Sequence, residues 1–231
     1  MPRQLDETDS SLTRITEGNP NLRPTLSNNV DAGLEYYIRP VGLISVNAFY
    51  KDLTDYRYTL SRTVGNTIYV RPENAPDGHL AGIEVNWQQQ FTFLPGLLSG
   101  FGTQLNATFI DTSSSDNQPV LGLSKTTYNG ILYYERGPFT ARIAYNWRSK
   151  SAVSFTTTPA TGELRPNWYS SDDQVDASIG LKLTKYATLS AAVTNLFYKK
   201  SGRTNYNQMI DAVNGYEIAD RQFRIGIRGR F

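Results

Sequence analysis

Chemistry needs groups that titrate, ligate or stack, and this chain offers few of them in company. Its 231 residues include no cysteine and one histidine, His79. Thiol catalysis, disulfide scaffolds and cysteine metal sites are therefore excluded, and a histidine zinc site or a serine triad would hang on His79 with no motif to corroborate it. Asp172 and Asp173 would supply half of a cation site, although adjacent acids in a loop are ordinarily just solvated. Trp168-Tyr169 and Tyr206 present aromatic faces able to stack on a sugar ring, or equally to pack against their own loops. The sequence predicts no catalytic residue, no metal ligand set and no cofactor.

The composition narrows the partners. Twenty-three basic residues against 21 acidic ones leave a formal charge of +2, too balanced for a nucleic-acid binder. The hydrophobic share is 39%, and no run approaches the ~20 apolar residues of a membrane-spanning helix. Aromatics supply 12% of the chain, a mixture suited to strands and to the boundary between lipid and water. No basic and apolar leader occupies the first thirty residues, so an exported protein would be a mature form or a piece of something longer.

The elements that must position these residues alternate with period two. Residues 1–28 are polar and turn-rich, with Pro20 and Pro24 lacking donors, and read as a loop. From there the predicted strands carry one apolar parity each: Val30 to Ile38, Ile44 to Tyr50, Ala81 to Trp87, Phe101 to Phe109, Thr127 to Glu135, Phe139 to Trp147, Val175 to Leu183, Leu189 to Phe197, and Arg221 to Phe231. The second keeps its parity at Tyr56, Tyr58 and Leu60, which predicts an unusually long strand. The fifth has competing phases, Ile131 and Tyr133 against Tyr128, Leu132 and Tyr134. The last is the clearest, with Phe223, Ile225, Ile227 and Phe231 opposite a cationic face, and it resembles the terminal strand by which outer-membrane barrels are recognised for assembly.

The connections alternate strictly, short near residues 40, 95, 137 and 185 and long near 65, 118, 160 and 208. An up-and-down meander collects all short turns at one end and all long loops at the other, as transmembrane β-barrels do, whereas a Greek-key sandwich has no reason to sort them. Aromatics on the apolar parity gather at both ends, Phe91, Phe101, Tyr134, Phe139 and Phe231 against Tyr50, Phe109, Tyr128, Trp147, Phe197 and Phe223. Eight residues separate Phe139 from Trp147, which at a tilt of ~40° spans about 20 Å of the membrane normal. The predicted fold is all-β: an antiparallel up-and-down meander of roughly nine strands over residues 29–231, the C-terminal part of a transmembrane β-barrel, preceded by an extracellular-type loop at 1–28. The inner charges Asp31, Glu35, Glu84, Arg142, Asp176, Lys182, Arg224 and Arg228 are expected to form cross-strand ladders in a watered lumen.

Several stretches resemble the TonB-dependent outer-membrane receptors. Gly18-Asn19-Pro20-Asn21-Leu22-Arg23-Pro24, followed by Gly33-Leu34-Glu35-Tyr36-Tyr37, is similar to the family's G-N-P-x-L-K/R-P loop and the strand after it. Phe49 to Leu53, Gly82-Ile83-Glu84, Tyr145 to Ser149 and Asn195-Leu196 follow at the family's spacings, so the resemblance covers essentially the whole chain. It implies residence in the outer membrane of a Gram-negative bacterium, contact with membrane lipid and the barrel assembly machinery, and import of a bulky solute, a ferric siderophore or an oligosaccharide. On this reading Trp168, Tyr169 and Tyr206 are ligand candidates on the outer loops. The family's plug and energy-coupling box have no counterpart here, so contact with the TonB complex would run through a plug outside this chain.

Two readings of the chain's extent remain: a piece of a 22-stranded receptor barrel, or a small complete barrel of eight to ten strands acting as a pore or adhesin. A barrel-rim protease or lipase would need partners for His79 that the sequence does not supply. A soluble lipocalin-like binder would turn its apolar residues inward.

Overall fold

The computed structural model describes residues 4–9, 12–75, 77–114, 118–157, 161–197, 203–207, 212–217 and 219–229. The strands are β1 (Gln4–Asp9), β2 (Leu12–Thr16), β3 (Leu26–Ile38), β4 (Gly42–Thr54), β5 (Arg57–Val64), β6 (Thr67–Asn74), β7 (Gly78–Gln90) and β8 (Phe101–Ser114). After them come β9 (Thr126–Arg136), β10 (Phe139–Arg148), β11 (Ser151–Thr157), β12 (Leu164–Tyr169), β13 (Asp172–Lys182), β14 (Ala187–Thr194), β15 (Arg203–Asn207), β16 (Ala212–Glu217) and β17 (Gln222–Gly229). They divide between two sheets.

The first sheet is a wall of nine strands in the order β17-β14-β13-β10-β9-β8-β7-β4-β3, every neighbour antiparallel. This is the expected meander, strand for strand. Pairing of Phe101 with Tyr134, Thr103 with Leu132 and Ala107 with Tyr128 settles the phase of β9: Tyr128, Leu132 and Tyr134 share the apolar face, and Ile131 and Tyr133 lie on the other. Among the described residues the order ends at β17 on one side and β3 on the other, with no ladder joining them.

The wall is amphipathic in the sense opposite to a soluble sheet. Leu34, Ile225 and Ile227 are 80%, 83% and 73% exposed, whereas the polar face is the concave one and holds a cavity of about 430 Å³ lined by Gln104, Tyr133, Glu135, Thr140, Arg142 and Ser178. Continuous exposed apolar surface of this extent marks a face that another apolar phase or partner covers, and lipid suits it. Two aromatic rows cross the apolar face. Phe101 meets Tyr134 at 4.8 Å and Tyr134 meets Phe139 at 5.9 Å at the short-turn end; Phe109, Tyr128 and Trp147 follow one another at 5.8 and 5.3 Å at the loop end. Both expected girdles are present in this part of the wall.

The second sheet is where the reading of the sequence needs correction. Three of the four long connections, those near 65, 160 and 208, carry strands, and with the N-terminal pair these join in the order β1-β2-β6-β5-β11-β12-β15-β16, with parallel contacts β2:β6 and β5:β11 linking antiparallel hairpins. Residues 1–28, expected as a loop, contain β1 and β2 and the start of β3, and among their described residues 17–25 are irregular. The expected long second strand also breaks. β4 stops at Thr54, Asp55 turns left-handed with φ 56°, and the chain re-emerges as β5 in the other sheet. Aspartate tolerates that conformation because its short carboxylate bonds locally. A small dry core of Tyr56, Ala75 and Val120, flanked by Leu53, Tyr58 and Leu123, lies where wall and loop sheet meet.

Candidate functional site

The loop candidates sit in the second sheet. Trp168 and Tyr169 are successive residues of β12, so their side chains leave opposite faces of the strand, and the pair does not act as one platform. The ladder instead sets Trp168 opposite Tyr206 of β15, and Tyr169 opposite Asn205. Trp168 is half-buried, with the Lys150 ammonium 4.7 Å from its ring centre, so part of its aromatic surface is engaged by its own loops. Beside it, Asn167 is buried and donates to Ser154 Oγ at 3.0 Å and Thr156 Oγ1 at 2.8 Å.

The titratable candidates do not converge. Asp172 faces Arg148 across the ladder at 3.5 Å, whereas Asp173 pairs in register with Trp147 and so leaves the other face. Two acids of alternate parity cannot close on one cation. His79 has neighbours that the sequence does not announce. It stacks on Tyr50 with ring centres 5.8 Å apart, and Ser113 Oγ lies 3.2 Å from Nδ1 and 3.0 Å from Nε2. A single hydroxyl serves one ring nitrogen at a time, and the residue opposite His79 on β4 is Asp52, so register sets the imidazole between an acid and a hydroxyl, with a hydrogen bond to the hydroxyl alone among the described residues.

The Gly18 to Pro24 loop is a clamp. Asn19 Nδ2 donates to Pro72 O at 3.1 Å and to Glu73 Oε2 at 3.0 Å, and Arg23 and Asn74 exchange two bonds of 2.8 and 3.0 Å. The Arg23 guanidinium then reaches Asp55 at 2.5 Å. Glu73 also hydrogen-bonds Arg71, which raises the arginine pKa above its ordinary value. Residues scattered over three elements thus fasten the loop to β6 and hold the break at Asp55.

The charge ladders expected on the concave face do not form. Register places Glu84 between Asn47 and Thr108, and Arg142 between Tyr133 and Ser178, so these charges face uncharged neighbours. Asp176 instead accepts from Gln174 Nε2 at 2.8 Å and from the Asn195 amide at 2.9 Å. On the convex face the terminal strand continues the apolar stripe, Phe223 opposite Val193, Ile225 opposite Ala191 and Ile227 opposite Leu189. Phe231, expected to end that stripe, and Arg230 lie outside the described residues.

A sequence model of the family described as TonB dependent receptor-like, beta-barrel, matches residues 3–196. The chain belongs to that family. No curated protein sequence matches it, but solved receptor structures share its fold. It superposes on a mutant of the ferric enterobactin receptor of Pseudomonas aeruginosa with a TM-score of 0.66 at 18% identity, covering 95% of this chain and 33% of that one. A copper transporter, OprC, gives 0.68 at 16% identity, with coverage of 93% and 34%. The siderophore receptor PirA of Acinetobacter baumannii gives 0.59 at 18%, with coverage of 81% and 30%. The chain thus spans about a third of the length of these proteins.

TonB-dependent receptor barrels are outer-membrane proteins, in keeping with an apolar face girdled by aromatics. Within this receptor barrel the Asn195-Leu196 motif has a structural office. Asn195 is left-handed at φ 57°, its Nδ2 donates to Ala219 O at 2.6 Å, and Leu196 N bonds Val175 O at 2.7 Å, so the motif ends β14 and steers the chain away from the wall.

Proposed function

We propose that this chain is the C-terminal wall and part of the outer loop structure of an outer-membrane receptor that imports a scarce, bulky solute, a ferric siderophore or an oligosaccharide, with energy from the inner membrane. The single observation that carries this reading is the division of labour between sheets. Three of the four long connections on the loop side feed a second, continuous sheet, while the wall below pairs an apolar face with a polar one. That arrangement suits a lid over an aqueous path better than a bare pore. Coupling to the TonB complex would run through a plug domain. Membrane lipid would cover the convex face, and the assembly machinery would read the stripe Phe223, Ile225, Ile227 and Phe231. Trp168, Tyr169 and Tyr206 are the loop aromatics we assign to ligand contact.

The test is growth of a strain carrying the intact gene against its deletion, on iron-limited and on glycan-limited medium. A defect on one medium names the solute class. Equal growth of both strains on both media would remove the siderophore and oligosaccharide readings together.

A further inference from the structure

The four short connections of the wall form one rim. Along it stand, in order, 183–186 between β13 and β14, 137–138 between β9 and β10, 91–100 between β7 and β8, and 39–41 between β3 and β4. Hydrogen bonds tie each to the next. Lys182 N donates to Pro138 O at 2.8 Å, Arg136 Nη1 to Ser99 Oγ at 3.1 Å, and Gln89 Nε2 and Gln90 N to Val41 O at 2.9 and 3.1 Å. The rim is therefore one fastened edge, with neighbouring turns two interstrand steps apart, about 10 Å, and roughly 30 Å from the first to the last.

This edge presents cations and no acid. Arg39, Arg136 and Lys185 are exposed at or beside three of the turns, and no Asp or Glu lies in any of the four. Glu135, next to Arg136, lines the cavity on the polar face and so leaves the strand on the other side. Arg136 gives one N–H to Ser99, which leaves the rest of its donor fork for a ligand. The Lys185 ammonium stands 4.8 Å from the centre of the Tyr186 ring, a favourable seat for a cation. At the loop end the apolar parity carries mixed charge instead: Asp52, Asp111 and Asp173 stand on it, with Lys125 3.3 Å from Asp111 and Arg221 beyond Phe223.

The same edge is apolar where a turn in water would be polar. Phe93, Leu97 and Leu98 are exposed in the 91–100 connection, Leu97 by 72%, and the two leucines sit on a single 3-10 turn, Gly96–Gly100. Phe93 meets Phe91 edge-on at 5.9 Å, and Phe91 N donates to Phe101 O at 2.8 Å. This apolar foot thus grows out of the girdle of Phe101, Tyr134 and Phe139. Val41 and Tyr186 repeat the pairing on two other turns, exposed beside Arg39 and Lys185.

We propose that the short-turn rim is a binding surface for anionic phospholipid, with Phe93, Leu97 and Leu98 among the upper acyl chains and Arg39, Arg136 and Lys185 on the phosphates. The inference rests on a lipid-covered wall and goes beyond it by assigning one kind of lipid to one edge. A guanidinium meets phosphate with two donors and an ammonium meets it as a point charge. Each cation close to an anionic bilayer strengthens attachment about fivefold, so three on one rim discriminate against a zwitterionic head group. Apolar groups paired with cations along four turns, continuous with the girdle, suit a layer of repeating head groups better than a single protein partner.

The experiment uses the intact receptor that carries this chain, freed of any other cysteine and reconstituted in phosphatidylcholine bilayers, with a bimane fluorophore on Thr92→Cys beside the foot. Its quenching is measured against added phosphatidylglycerol or phosphatidylcholine that bears a nitroxide high on one acyl chain. Phosphatidylglycerol is expected to quench at a mole fraction about fivefold lower or less. Arg39→Gln combined with Arg136→Gln should bring the two lipids within twofold of each other, with heat-modifiable migration unchanged. If the paired variant fails to assemble, ~1 M salt, which cuts the screening length to about 3 Å, carries the same expectation for the unaltered rim. Equal quenching by both lipids, or a preference that survives the paired variant or the salt, would overturn the proposal. So would a label that neither lipid quenches and aqueous iodide does, which would leave the foot to a soluble protein. A second label at Ile143→Cys, in mid-wall, keeps the readings apart: quenching there and not at residue 92 removes the rim surface alone, and quenching at neither removes the lipid-covered wall.

Discussion

Two residues with left-handed backbone, Asp55 at φ 56° and Asn195 at φ 57°, decide where wall strands hand the chain to the loop structure. Each is held from outside its own strand, Asp55 by Arg23 at 2.5 Å and by Asn74 Nδ2 on its carbonyl at 2.7 Å, and Asn195 by Asp176 and the Ala219 carbonyl. A left-handed non-glycine residue costs roughly 1–2 kcal/mol, least for Asn and Asp. Asn195→Ala removes that tolerance and the 2.6 Å bond together, and should lower stability by about 1–2 kcal/mol. Asn195→Gly keeps the backbone conformation and loses only the bond, so its effect should be smaller. The temperature at which the folded band is lost on electrophoresis ranks the three proteins, and equal loss in both variants would show that the side-chain bond alone matters.

At the scale of the element, a wall strand is a two-faced ribbon whose environments differ by a single residue. Ile143 is 42% exposed on the apolar face, and Arg142 next to it lines the concave cavity. Spin labels at these two positions in the intact receptor should report lipid and water respectively, by collision with oxygen against a water-soluble relaxant, and the reverse pattern would turn the wall inside out. The terminal strand makes a second case. Phe223, Ile225 and Ile227 stand 70%, 83% and 73% exposed with β14 as their partner on one side, and Phe231 follows two residues beyond the end of β17. Deletion of Phe231 removes an aromatic of the kind suited to the membrane interface, whereas Arg230→Gln removes a charge on the opposite parity of the sequence. A marked loss of protease-protected, heat-modifiable barrel is expected for the deletion and little for Arg230→Gln.

At the scale of the whole molecule the two sheets are joined by the chain and by a small core, so they can fail separately. β15 meets β12 through three residue pairs, Asn167 with Asn207, Trp168 with Tyr206 and Tyr169 with Asn205, while β14 and β17 pair along their full length. Replacing residues 203–217 with a short Gly-Ser linker should therefore leave the wall assembled, since no wall ladder uses them, while weakening solute binding at least tenfold if the Trp168 and Tyr206 neighbourhood contacts ligand. Heat-modifiable migration and solute titration on the same preparation separate the two effects. A variant that cannot assemble would show the loop sheet to be part of the wall's folding unit.

Period two is a local property, which is why so much of the wall is legible in the chain itself. Alternation from Phe139 to Trp147, or from Phe223 to Ile227, needs no partner to be seen, and the sorting of short turns from long loops follows from strand reversal alone. The girdles were readable for the same reason, because residues of one parity at one end of each strand must line up once the strands meander. What the sequence could not disclose depends on which strands lie side by side and at what register. β5 joining β11 in parallel at Phe155 and Leu60, Ser113 arriving at the edge of His79, and Arg136 reaching Ser99 of the neighbouring turn are each decided by pairing. A slip of two residues in any strand would keep every apolar side chain on its face and part these contacts. Asp55 hid for a further reason: parity continued through it to Tyr56 and Leu60, and only the clamp of Arg23 and Asn74, distant in sequence, turns the chain out of the wall at that point.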